Sequence, residues 1–322
     1  MIQPRAVLSL TLLLTALAQG EVAAVPVAQE DWPALLESTA RPAMQGRLDE
    51  AEKQLRTLLA RAPDSQPALQ ADILHRLQFV LLGRQQYDAA REMAAKALAL
   101  RLQAYGKEHL KVAESRQAYA RLLALSGQPD AAEKLLLQAL ASRDALAGSD
   151  SLAVAESRQA LGVLYQQLQQ HDKAAEQLGR ALVIRQKRLP ADHADILYSQ
   201  ARLGASLQQL QHYDRAIALL QDALEGETRR GNADGLHAAI IQRELAYCHH
   251  YQRRFTEAEG HYQQALTLLA LNLGSQHHAY ATTLQALAWL YISSQRETAG
   301  RALLEQARTL LQQASPTPLR RQ

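Results

Sequence analysis

The chain is expected to fold as an all-α solenoid of stacked antiparallel helix pairs. Three observations predict it. The composition favours helix, the sequence matches itself at an offset of 42 residues, and a large-small-large pattern recurs on one helical face.

Composition comes first. The 322 residues are 48% hydrophobic, enough to bury a substantial core, with only two Phe and ten Pro. Ala, Leu and Gln recur throughout, and long Val/Ile/Thr-rich runs are missing. These are good helix formers in a chain without strand signals. The formal charge is +3, from 35 basic and 32 acidic residues, with no block of one sign. Nucleic-acid binding needs a focused basic patch, so no nucleic-acid partner is expected.

At the N-terminus, Arg5 precedes the apolar run Ala6 to Ala18, which ends in the small-x-small site Ala16-Leu17-Ala18. That is the layout of a secretory signal peptide over residues 1–18, with a second cut site after Ala24. The run is short for a bilayer span. No Cys follows it, which argues against a lipid anchor. The mature chain is therefore expected to be exported, periplasmic or secreted, with no stable membrane span. Residues 19–33 read as a flexible lead. The single cysteine, Cys248, leaves no internal disulfide to form.

The repeat is explicit. Val112-Ala113-Glu114-Ser115-Arg116-Gln117-Ala118 recurs as Val154-Ala155-Glu156-Ser157-Arg158-Gln159-Ala160. Self-similarity of this kind outranks other readings. Leu77, Tyr119, Leu161, Leu203, Leu245 and Leu287 share one repeat position. The next position holds Gln78, Ala120, Gly162, Gly204, Ala246 and Ala288, nearly all small. Three residues on stand Leu81, Leu123, Tyr165, Leu207, His249 and Tyr291, on the same helical face. The small sites predict close helix packing. Leu at Gly162 or Gly204 should destabilise, whereas Ala is expected to be neutral or stabilising.

A second helix starts near Tyr87-Asp88-Ala89-Ala90, Pro129-Asp130, His171-Asp172, Tyr213-Asp214 and Phe255-Thr256. Asp or Thr is expected to cap it. One helix pair cannot bury its apolar face alone, and stacking makes the core continuous. Six repeats of about 42 residues span 70–313. Residues 34–69 form a degenerate half-repeat or cap, marked by Gly46-Arg47-Leu48-Asp49. Residues 314–322 read as a disordered tail.

This pattern resembles the tetratricopeptide repeat, in its 42-residue kinesin light chain-like variety. Gly106-Lys107-Glu108-His109-Leu110-Lys111-Val112-Ala113 is similar to that variety's Gly-x-x-His-Pro turn, with Leu110 in place of Pro. Gly274-Ser275-Gln276-His277 is similar, and His193 holds the same place. The resemblance covers roughly residues 45–313. It implies a right-handed superhelix whose first helices line a groove for a protein or peptide. The variety's ligand-gripping Asn-Asn pair is replaced by Gln117-Ala118, Gln159-Ala160, Ala201-Arg202, Arg243-Glu244 and Gln285-Ala286.

Chemistry is otherwise sparse. Cys248-His249-His250, with His261, His277 and His278, matches no common zinc spacing. His249 reads as a buried, hydrogen-bonded imidazole, and Cys248 as a small buried hydrophobe. Gly-x-Ser-x-Gly, a phosphate loop and His-Glu-x-x-His are all missing. No catalytic residue, metal or cofactor is expected, and the chain reads as a non-enzyme.

Counting from the small sites places a ligand groove on Phe79, Arg121, Gln159, Arg243, Tyr247, His250, Tyr251, Gln285, Trp289 and Ile292. Gln166 and Gln208 hold the same places in the middle units. Aromatic and Arg anchors are the usual hot spots of interfaces. The competing readings are packing roles for Tyr247 and Trp289, and a scaffold acting through its convex face or end repeats. The sequence does not choose between a monomer and an oligomer.

Overall fold

The computed structural model describes residues 31–314. The expected leader, most of the lead and most of the tail lie outside them. The described residues form fourteen helices and no strand. In sequence the chain divides after Ala62 into two compact units.

The first unit holds α1 (Trp32–Met44) and α2 (Leu48–Arg61), packed on each other. Helix α1 begins inside the stretch read as a lead. Asp31 caps it, its carboxylate accepting from the Ala34 N–H at 3.1 Å. The turn into α2 passes through Gly46 at φ +73, a conformation that costs glycine nothing.

The second unit holds six helix pairs. They are α3 (Pro67–Gly83) with α4 (Tyr87–Tyr105), α5 (Leu110–Leu125) with α6 (Pro129–Ala147), and α7 (Leu152–Gln167) with α8 (His171–Arg188). Next come α9 (Ala194–Gln209) with α10 (Tyr213–Arg229), α11 (Leu236–Tyr251) with α12 (Phe255–Leu273), and α13 (His278–Ser293) with α14 (Glu297–Ala314). Each second helix packs on the next first helix. First helices also meet one another, α5 on α7, α7 on α9, α9 on α11 and α11 on α13. Second helices make no comparable contact. The first helices of this unit therefore line its inner side.

The small sites make these pairs close. Ala120, Ala246 and Ala288 are fully buried. A Cβ added to Gly162 would sit 2.6 Å from Cγ of Leu178 on α8, and one on Gly204 would sit 2.8 Å from Cγ of Leu220 on α10. Both distances are shorter than any real Cβ contact, so the expectation that Ala is harmless at these two sites does not hold. Propensity favours Ala, but the facing leucine occupies its space.

The capping expectation also fails. Helices α4, α6, α8, α10 and α12 start two residues earlier than a capping Asp or Thr requires. Their N-caps are Gln86, Gln128, Gln170, His212 and Arg254, none with a side-chain cap. The preceding residue sets the turn instead. Gln85, Gln169, Gln211 and Arg253 take φ of 60, 58, 63 and 60, and Gly127 takes 75. The next N–H then reaches back five residues, as Gln170 N–H does to the Tyr165 carbonyl at 2.9 Å. This closes the first helix as a Schellman turn. Asp88, Asp130, Asp172 and Asp214 fall in the first turn, where a negative charge suits the helix dipole.

The longer turns behave differently. His109, Ser151, His193 and His277 cap their first helices, each side chain accepting a backbone N–H. The histidines of the family-like turn are thus N-caps.

Candidate functional site

A cleft of ≈ 610 Å³ in the second unit opens between α9, α11 and α13. Gln208 and Gln209 from the end of α9, with Gln211 from the turn, form one wall. Tyr213 stands at the start of α10. Arg243, Glu244, Tyr247 and Tyr251 come from α11, and Thr282 from α13.

On α11 the residues three before, one beyond and five beyond the small site Ala246 face this cleft. That geometry brings together three of the groove residues read from the sequence, Arg243, Tyr247 and Tyr251. Tyr251 is 61% exposed, and its ring lies parallel to Tyr213 with centroids 5.8 Å apart. Tyr247 is half-buried and meets Tyr262 edge-on at 5.8 Å. That contact is the packing role expected for Tyr247. Beneath it Tyr262 is fully buried, and its hydroxyl has no hydrogen-bond partner. Burial pushes its ionisation well above the ordinary tyrosine range.

The cleft carries a balanced charge. The Arg243 guanidinium holds Glu244 at 2.8 Å. Burial opposes the Arg243 charge, but the carboxylate outweighs it and leaves the guanidinium above its ordinary value. Gln208 is buried at the cleft edge and accepts from Gln209 at 3.2 Å. The surface offers amides, phenols and one ion pair, and no group activated for catalysis.

The other expected groove residues do not join this cleft. His250 sits beside Tyr251, its ring 5.6 Å away, and its Nε2 pairs with Ser293 Oγ at 3.2 Å. Ile292 presses against Gly300 of α14 and therefore faces its own helix pair. Gln285 is exposed and Trp289 is 52% exposed on α13. Phe79 and Arg121 are exposed farther along, on α3 and α5. Gln159 lines a different cleft, and its carbonyl oxygen accepts from Arg185 Nη1. Sequence counting missed Tyr213, Gln211, Glu244 and Thr282. Their positions follow from how α10 and α13 flank α11, which periodicity along a single helix does not encode.

The histidine–cysteine cluster is structural. Cys248 is fully buried, and burial, aided by Glu244, pushes its thiol up to about 12. His249 is buried, but its Nδ1 has no partner, contrary to the hydrogen-bonded imidazole expected; its ring stacks on His261 at 5.2 Å. Among the described residues, no group of three or more His, Cys, Asp or Glu is placed to hold a metal ion. Nor is any described helix long and apolar enough to cross a membrane.

The tetratricopeptide repeat model matches residues 69–145, 127–187 and 237–313. These stretches cover more than half of the chain, which belongs to the tetratricopeptide repeat family. Tetratricopeptide repeats are a non-catalytic scaffold family. The kinesin light chain-type, nearly identical TPR-like repeats of Podosopora anserina are 25% identical, covering 63% of this chain and 96% of that one at a TM-score of 0.55. The apo form of RapI is 15% identical, covering 88% and 98%, with a TM-score of 0.65. The Rap protein complexed with Competence and Sporulation Factor is 12% identical, covering 88% and 77%, with a TM-score of 0.62. No curated protein sequence matches the chain.

Proposed function

We propose that the chain is an exported adaptor of the kinesin light chain-like variety, holding a peptide segment of another protein in the cleft between α9, α11 and α13. The observation that carries this reading is the cleft itself. It joins an exposed tyrosine pair to a row of glutamine amides and a neutralised Arg–Glu pair, on the inner side of the stack. Amide side chains donate and accept at once, which suits a peptide backbone. Tyrosines supply large contact area at low entropic cost. The solved Rap complex illustrates that a related solenoid holds a ligand. Export is supported by the apolar run before Ala16-Leu17-Ala18.

The test is capture of partners by the mature protein from its native envelope fraction, read by mass spectrometry. Tyr251→Ala should lose the captured partner at normal helical circular dichroism, because its ring is mostly exposed. True anchors cost more than about 2 kcal/mol on truncation. Phe79→Ala, outside the cleft, should retain the partner. Equal retention by the Tyr251 variant would sink the assignment of the cleft. An intact mass that still includes residues 1–18 would sink export.

A further inference from the structure

The junctions between helix pairs carry a ladder of buried arginines. Arg101, Arg143 and Arg185 hold one repeat position on α4, α6 and α8, and are only 2%, 5% and 3% exposed. Each donates to a backbone carbonyl in the first turn of the next first helix: Lys111 O at 2.8 Å, Ala153 O at 3.1 Å and Asp195 O at 3.2 Å. Each also donates to a serine there, Ser115 at 3.0 Å, Ser157 at 2.9 Å and Ser199 at 2.5 Å. Arg143 and Arg185 bond in addition to Gln117 and Gln159 on their own pair's first helix.

At the fourth junction the pattern inverts. The same position on α10 is Glu227, 5% exposed. The serine place becomes Ile241 and the glutamine place becomes Ala201. The His237 Nδ1–H donates to Glu227 Oε1 at 2.7 Å. That bond uses Oε1 alone, and the other carboxylate oxygen is not among the sealed, unpartnered polar atoms: it opens to the surface. An open oxygen on an otherwise buried carboxylate is placed to accept from a charged donor that enters from the cleft.

A cleft of ≈ 540 Å³ opens at this carboxylate, lined also by Asp195, Tyr198, His237 and Arg230. The rings of Tyr198 and His237 stack at 5.9 Å. Tyr198 already lies under one guanidinium, that of Arg202 at 5.1 Å. The lining cation, Arg230, donates instead to the Asp192 carbonyl at 3.0 Å. Its neighbour Arg229 pairs with the Asp192 carboxylate at 2.7 Å.

We propose that this junction is a receptor for a guanidinium ligand, which supplies from outside the group that the three earlier junctions supply from within. The planar fork of a guanidinium pairs with a carboxylate and stacks on aromatic faces, which an ammonium does less well. The site is separate from the tyrosine cleft, and its test is independent of that cleft.

The probes are the capped tripeptide acetyl-Gly-Arg-Gly-amide, its citrulline and lysine counterparts, and agmatine. Each is titrated into the folded protein while the His237 Cε1–H resonance is followed. The expected result is a saturable shift with the arginine peptide or agmatine, and at least tenfold weaker binding of citrulline and lysine. Tighter binding of the peptide than of agmatine points to a protein side chain as the source, and the reverse to a free guanidine. Glu227→Gln should weaken binding at least tenfold. If that variant misfolds, the citrulline comparison on the unaltered protein still decides. No saturable shift, or equal binding of citrulline or lysine, overturns the proposal. So does a folded Glu227→Gln protein that binds as before.

Discussion

At the scale of single residues, Gly300 is confined by backbone as well as by a side chain. A Cβ there would lie 2.6 Å from Cγ1 of Ile292 and 2.8 Å from the Ala288 carbonyl oxygen. The second neighbour is backbone and cannot swing aside. Gly300→Ala is therefore expected to destabilise by about 1–3 kcal/mol, more than the helix propensity of Ala returns. Gly162→Ala should cost less than Gly300→Ala, because the atoms it meets belong to the Leu178 side chain and not to backbone. Urea melts of the two variants, read against the unaltered protein, check that order. Cys248 offers a second residue-scale test. A thiol raised from 9 to about 12 stays protonated through the neutral range. An aromatic disulfide reagent at pH 8 should label it only on unfolding. The group ionises earlier in the unfolded chain, so its contribution to stability is full below pH 9 and is lost as pH rises from there to about 12. Cys248→Ala should flatten that part of the profile. Rapid labelling of the native protein would contradict the burial.

At the scale of elements, the arginine ladder ties each second helix to the next first helix. Arg143 satisfies Ala153 O, Ser157 Oγ and Gln117 Oε1 at once. Arg143→Ala strands those groups, and each buried unsatisfied polar group costs about 1–3 kcal/mol. The expected result is loss of hydrogen-exchange protection in α6 and α7 before other helices. Uniform loss along the chain would show that the junctions are not separable. The ladder was visible in the sequence as arginines at a constant offset, but a long charged side chain ordinarily reads as surface. Only the position of the neighbouring turn shows that these guanidiniums point inward. The capping error has a similar origin. Asp88 and its equivalents look like N-caps until the left-handed residue before the helix is known, and glutamine at that place carries no signal.

At the scale of the whole second unit, stacking makes stability depend on acid. Glu114 on α5 pairs with His75 Nε2 of α3 at 2.9 Å and with Arg101 of α4 at 3.0 Å. The His75 bond, against the cost of burial and with Arg101 adding to it, pulls this carboxyl down to about 2. Asp72, opposed by burial but held by Lys111 and Arg101, is lowered too. A carboxyl with a depressed folded value contributes above its ordinary value of 4.5 and loses that contribution as pH falls toward 2. The urea midpoint should fall across this window, and Glu114→Gln should flatten the fall. An equal slope in both proteins would place the acid sensitivity elsewhere. The carboxylate is partly exposed, so solvent screening keeps the effect small.

The all-helical class, the period and the buried stripe of the repeats were legible in the chain alone, whereas the helix that begins at Trp32 was not. They depend on spacing along one helix, and spacing is a one-dimensional property. Counting along the first helices gave Arg243 and Tyr247, with Tyr251 beside them, but it also gave His250 and Ile292, which do not line the same cleft. The grouping of the first three with Tyr213, Gln208 and Thr282 arises from the distance between neighbouring first helices. That distance depends on how closely each pair packs at its small site. The turning of Ile292 toward Gly300 and the open oxygen of Glu227 arise the same way. Each depends on which atoms of another helix occupy the space nearby, and volume shared between distant segments is settled only when the chain is packed.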